Sequence, residues 1–328
     1  MNRAERLLAS VVIPTHDRCA SLLRALDKLG RQSLLPSAME VVVVADGCTD
    51  QSAQLARAFP APYRLVVIEQ PNSGPAVARN AGAAAARAPL LVFMDDDVEP
   101  DDGFVAAHIR AHRDGRDLAV IGYYPPVRYG RGIFGEAVAS WWEQTFAAMA
   151  KPNHVFGFTD LLTGNLSLSA ELFRRVGGFD PALRVHEDYE FGLRLLAAGA
   201  SLRFSRDAWG RHHERSDVER ASRRKIDEGR ADVIIGRCHP NVIPQLPLAR
   251  YRGRKHGMLR LLAFLAPQLG DVLARLCRVL MDAAELHDHH RAWQRLFELL
   301  LGYWYWRGVA DEIGRLSRLK RFVRREQT

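Results

Sequence analysis

A chain of 328 residues that is 48% hydrophobic and 26% charged has an ordinary globular composition, which excludes collagen-like and disordered classes. It is long enough for one large α/β domain and an accessory segment. The formal net charge is +8, and residues 1–240 carry 30 Lys/Arg against 30 Asp/Glu while residues 241–328 carry 16 against 8. The C-terminal segment therefore holds the whole excess and favours anionic partners.

Val11-Val-Ile13 reads as a strand, and Leu22, Leu23, Leu26 and Leu29 recur at helical spacing behind it. Met39 to Ala45 contains four consecutive valines, the pattern of a parallel strand buried on both faces. A short helix over 51–59, a strand over 63–69, an Ala-rich helix over 75–87 and a strand over 89–94 complete the alternation. Strand, helix, strand, helix implies right-handed crossovers and a parallel sheet with helices on both faces. Residues 103–160 are less regular, 161–210 form a compact unit, and 211–240 read as a charged helix. Pro240, Pro244 and Pro247 then mark a connector to basic amphipathic helices.

In such sheets, ligands bind outside the carboxyl ends of the strands. The four strands are followed by Pro14-Thr-His-Asp-Arg18, Asp46-Gly-Cys-Thr-Asp50, Gln70-Pro-Asn-Ser-Gly74 and Asp95-Asp-Asp97, so these loops are expected on one rim. Three adjacent carboxylates beside a buried strand end repel one another unless a cation neutralises them. Hard oxygen donors at that density suit Mg²⁺ or Mn²⁺ bridging substrate phosphates. Asp46 is placed to accept hydrogen bonds from a base or ribose, and Gly47 to let backbone approach a ligand. Gly74-Pro75 sets a glycine turn before a helix, suited to phosphate or ribose, with Arg79 one turn inside. It is not a P-loop, because no Gly-Lys-Ser/Thr follows.

Val11-Val-Ile-Pro-Thr-His-Asp-Arg18, Val41 to Asp50, Asn72 to Gly82 and Phe93-Met-Asp-Asp-Asp97 resemble the successive signatures of the family 2 glycosyltransferases of GT-A fold. Thr163-Gly-Asn-Leu-Ser-Leu-Ser169, Val176-Gly-Gly-Phe-Asp180 and His186-Glu-Asp-Tyr-Glu-Phe-Gly-Leu-Arg-Leu195 are similar to that family's acceptor-side motifs. The resemblance spans roughly residues 10–215 and implies a Rossmann-like, mostly parallel sheet flanked by helices, with a helical C-terminal extension. It implies a catalytic domain over 1–240, with a nucleotide half at about 10–100 and an acceptor half at about 101–240, and an extension over 241–328. By the same resemblance Pro14, Thr15, Asp17, Arg18, Asp46, Gly74, Arg79, Asp95 and Asp96 hold the nucleotide-sugar. Asp95 and Asp97 form the metal-binding pair with Asp97 the direct ligand, and His212 or His213 completes the shell. Glu187 and Asp188 form the catalytic acidic pair, with Asp188 as general base. The implied activity is inverting transfer of a sugar, most simply from a UDP-sugar, to a glycan, lipid-linked glycan or small-molecule hydroxyl, with Mn²⁺ or Mg²⁺. Ala45 and Cys48 depart from the family's usual residues there, which leaves the base open.

Two other readings of the same acids stand beside this one: a sugar-phosphate nucleotidyltransferase and a non-catalytic scaffold at a membrane surface. The four cysteines show no metal-ligand spacing, and no secretory signal is evident before Ser10. Leu259 to Met281 is too polar to span a bilayer. A cytoplasmic protein with no nucleic-acid role is expected. Its tail either packs on the catalytic domain or attaches to the inner face of the membrane, with Trp304 and Trp306 at headgroup level.

Overall fold

The computed structural model describes residues 7–113, 115, 117–128, 132–214, 216–251 and 253–324. The first six residues and Arg325, both part of the sequence reading, lie outside them. Strand β1 (Ala9–Thr15) leads into α1 (Cys19–Leu29), which buries Leu22, Leu26 and Leu29. Strand β2 (Met39–Asp46) is buried along its whole length, as the valine run demands. Then come α2 (Ser52–Arg57), β3 (Arg64–Gln70), α3 (Pro75–Ala85), β4 (Leu90–Met94) and the short β5 (Val98–Pro100). The irregular stretch contains α4 (Phe104–Ala111), β6 (Leu118–Tyr123) and α5 (Ile133–Met149). It is followed by β7 (Asn165–Ser169), α6 (Ala170–Val176), α7 (Glu187–Ala197) and the long β8 (Ser201–His212).

The sheet order is β3-β2-β1-β4-β7-β6-β8-β5. Strands β3, β2, β1 and β4 are parallel, so Thr15, Asp46 and Met94 end along one rim. Strand β7 runs antiparallel to both β4 and β6, with Asn165 opposite Met94. It therefore starts where β4 stops, which brings the Thr163-Gly-Asn165 loop to that same rim. Strand β5 pairs antiparallel with the end of β8, Val98 opposite His212. This pairing carries a histidine from the far end of the sequence to the acidic turn.

Two compact units divide the chain: residues 1–127 with 139–214, and residues 128–138 with 215–328. The expected boundary at 240 lies inside the second unit, because α8 (Val218–Cys238) packs with the helices that follow. These are α9 (Pro247–Arg250), α10 (Arg254–Leu265), α11 (Pro267–Leu286), α12 (His290–Ile313) and α13 (Leu316–Arg324). A Cβ on Gly308 would overlap the Ile226 carbonyl oxygen, and one on Gly229 the Tyr305 carbonyl oxygen. The two glycines let α8 and α12 cross in backbone contact. Trp306 is fully buried here under the Arg260 guanidinium, which corrects the expectation of a headgroup-level position. Pro267 opens α11 and so separates it from α10.

Candidate functional site

The acidic turn after β4 divides its carboxylates among separate partners. Asp95 Oδ1 accepts from Arg79 Nη2 at 2.7 Å. Asp96 is buried and accepts from Thr15 Oγ1 at 2.6 Å and from Arg18 Nη1 at 3.2 Å. Asp97 Oδ2 pairs with the same Arg18 nitrogen. Part of the cation demanded by three adjacent carboxylates is thus supplied by the chain's own guanidinium groups. Burial nevertheless pushes Asp96 up to about 7, with Arg18 working against that shift. For Asp97 burial also raises the pKa, but hydrogen bonding and charge from His212 and Arg18 outweigh it and hold it well below the carboxylate range.

The loops expected to hold a nucleotide are cross-braced to one another. Asp46 accepts from Gln70 Nε2 and the Ser73 amide, each at 2.8 Å, and from the Gly74 amide at 2.8 Å. It clamps the turn before α3, and Gly74 reaches that clamp through a positive φ of 91°. Gly47 has a φ of 68°, and a Cβ there would sit 2.6 Å from the Asn72 amide nitrogen. What its missing side chain admits is the neighbouring loop's own backbone. Asp17 accepts from the Thr49 amide at 2.6 Å and the Asp50 amide at 3.1 Å, and these bonds lower its pKa. Asp17, Cys48 and Asp50 are the one group of three metal-type donors within 4.8 Å of one another among the described residues. They lie on the loops that follow β1 and β2. Pro14 forms part of β1 directly before these contacts.

Arg79 and Asn80 tie the two halves of the site together. Arg79 Nη1 donates to Glu187 Oε1 at 2.6 Å while Nη2 holds Asp95. The guanidinium expected to hold the nucleotide-sugar is thus engaged by two acids. Asn80 donates to the Phe179 carbonyl at 2.8 Å and accepts from the Phe179 amide at 2.9 Å. Glu187 and Asp188 open α7, where the helix N-terminus favours negative charge. Asp188 is half-buried, more open than its neighbour.

The two candidate histidines separate cleanly. The His212 amide donates to the Pro125 carbonyl at 3.0 Å, the His213 amide to the Asp97 carbonyl at 2.7 Å, and the Val127 amide to the His212 carbonyl at 2.8 Å. So fixed, His212 Nε2 faces Asp97 Oδ1 at 3.4 Å, whereas His213 Nε2 lies 2.9 Å from Glu99 Oε2.

The model of glycosyl transferase family 2 matches residues 10–176, half of the chain. The chain belongs to glycosyl transferase family 2. It is 34% identical over 275 residues to validoxylamine A glucosyltransferase of Streptomyces hygroscopicus subsp. limoneus, a match covering 73% of this chain and 58% of that protein. The fold is that of the mannosyltransferase PcManGT from Pyrobaculum calidifontis, solved with GDP-Man and Mn²⁺. The TM-score is 0.58 at 20% identity, over 91% of this chain and 86% of that one. S. aureus TarS 1–349, solved with UDP-GlcNAc, gives a TM-score of 0.54 at 15% identity, over 94% and 93%. The GT-A architecture read from the motifs is thus the fold of this family 2 chain.

A divalent ion fits this family 2 site at Asp97 and His212. Asp97 Oδ1 is buried and its one close polar neighbour among the described residues is the His212 imidazole nitrogen at 3.4 Å. A hard carboxylate oxygen and an imidazole together form a donor set suited to Mn²⁺. Asp95 Oδ1 is engaged by Arg79, and His213 by Glu99. One residue escaped the sequence reading: Tyr124, only 2% exposed. Its ring meets Trp142 at 5.2 Å, Phe146 at 5.4 Å and His212 at 5.4 Å. Burial, then the charges of Asp95 and Asp188, push its phenol well above the ordinary value. The available signal was its place just past β6, on the rim where β7 begins.

Proposed function

We propose that the chain is an inverting glycosyltransferase that moves a sugar from a nucleotide-sugar to an acceptor hydroxyl. The observation that carries this is the Arg79 bridge. It joins Asp95, beside the candidate metal ligand Asp97, to Glu187, beside the candidate base Asp188. Inversion needs a base on one face of the anomeric carbon and a neutralised leaving diphosphate on the other. Asp188 takes the acceptor proton, and α7 fixes it in place. Asp97 and His212 would hold the divalent ion, which when bound would neutralise the leaving diphosphate. Arg18, paired with Asp96 and Asp97 and 30% exposed, adds positive charge at the same place. Thr15 and Asp96 lock the turn, and Asp46 and Asp17 hold the loops that frame the nucleotide.

The bound nucleotide-sugars of the two structural neighbours make UDP- and GDP-sugars the first donors to examine. The Streptomyces relative is named for glucosyl transfer to validoxylamine A, so a small-molecule acceptor class is carried beside a glycan. The purified chain with Mn²⁺ and a donor panel is expected to be stabilised by its own donor through mass action. It should then release nucleoside diphosphate in a reaction lost in Asp97→Ala and Asp188→Asn. Turnover undiminished by chelator, or full activity in Asp188→Asn, would overturn the assignment.

A further inference from the structure

Ten of the thirteen large apolar side chains exposed among the described residues lie between Met258 and Leu286. On α11 the helix buries Gly270, Ala274, Met281 and Ala284 on one face. Its Leu269, Val272, Leu273, Leu276, Val279 and Leu280 are 42–62% exposed, and at 100° per residue they fall within a sector of about 120°. A helix with one packed apolar face and a second uncovered one has an unused partner surface. Leu261 and Leu265 add to it from α10, with Arg254 on the same stripe one turn before Met258.

We propose that this stripe seats the chain on an anionic lipid surface, with α11 lying in the interfacial plane. The inference does not rest on the transferase reading. Two properties favour lipid over a protein partner. The six exposed residues of the α11 sector are all aliphatic, whereas protein interfaces concentrate Tyr, Trp and Arg at their centres. Residues 241–328 as a whole carry 16 basic against 8 acidic residues, so a second copy would bring like net charge to like while anionic headgroups attract it. On α13, Arg318, Lys320 and Arg321 are exposed while Leu319 and Phe322 are buried, and no acid pairs with these three among the described residues. No described helix is long and apolar enough to cross a membrane, and an amphipathic helix of this kind lies in the interfacial plane.

The test is co-sedimentation of the full chain with vesicles of phosphatidylcholine alone and with about one-third phosphatidylglycerol. Strong binding is expected only to the anionic vesicles, weakened by high salt. The double variant Leu276→Gln/Leu280→Gln is expected to lower partitioning at least about tenfold with an unchanged melting temperature, because both side chains are half exposed. Arg318→Ala/Arg321→Ala should weaken binding to anionic vesicles specifically. Absence of binding to anionic vesicles, or binding indifferent to the leucine substitutions, overturns the proposal. So does a dimer in sedimentation velocity that Leu276→Gln dissociates while vesicles remain unbound.

Discussion

Arg79 holds Asp95 and Glu187 with separate nitrogens of one buried guanidinium, and its two substitutions separate charge from shape. Arg79→Ala leaves two buried or half-buried acids without their cation, a loss of about 3–5 kcal/mol. Arg79→Lys keeps the charge but cannot serve both acids with a planar fork, so a smaller fall in melting temperature with a large fall in kcat is expected. Equal loss of both quantities in the two variants would contradict the bridging role. At the neighbouring metal candidate, Mn²⁺ binding followed by calorimetry should vanish in His212→Ala and persist in His213→Ala. The opposite order would remove His212 from the site. The sequence motifs named Asp97, Asp188 and the histidine pair as candidates, and the fold brings Asp97 and His212 within 3.4 Å of each other. The choice between His212 and His213 was not, because it depends on the register of β5 against β8. Nor was the commitment of Arg79, Asp46 and Asp17 to neighbouring loops: side-chain pairing across 16 to 108 residues leaves no mark in local spacing.

The crossing of α8 with α12 is the element-scale feature most open to a direct check. Gly229 and Gly308 each admit the other helix's backbone, so a single methyl has nowhere to go. Gly308→Ala is expected to cost about 1–3 kcal/mol through overpacking, read as a lower melting temperature. Helix propensity alone would favour alanine by about 1 kcal/mol, so a stabilised Gly308→Ala protein would refute the close crossing. The same pair explains where sequence reading of the elements stopped. Through residue 94, β-branched runs and helical periodicity placed each strand and α-helix within a few residues, but the short β5 (Val98–Pro100) was not read. In the stretch 103–160, β6 and α5 are set by partners far away in sequence, with β6 seated between β7 and β8. Trp306 and Tyr303 were legible as apolar, but only the packing of α12 decides that both are interior.

At the scale of the whole molecule, the buried histidines make stability depend on pH. His108 is fully buried, 2.8 Å from Ser167 Oγ and 2.7 Å from Asn165 Oδ1, and His112 Nε2 lies 2.9 Å from the same hydroxyl. Burial is the largest cause in both, lowering His108 to about 3 and His112 to about 4 from an ordinary 6.5. A depressed folded-state pKa means that the unfolded chain binds the proton first as pH falls. Their stabilising contribution is therefore full above 6.5 and is lost progressively toward 4 for His112 and 3 for His108, at about 1.4 kcal/mol per pH unit each. Two groups act in the opposite direction. His212 is raised, because its interactions with Asp97 outweigh its burial, and Asp96 is raised by burial to about 7, so protonating either favours the folded state as pH falls. Comparing wild type with His108→Asn/His112→Gln leaves those two unchanged and isolates the pair. The variant is expected to melt lower at pH 7.5 yet lose less stability between pH 6.5 and 4.5. The difference should appear as slower acid-induced hydrogen exchange in α4 and β7, which carry the network. Parallel melting curves for the two proteins across that window would show that these histidines do not govern the acid transition.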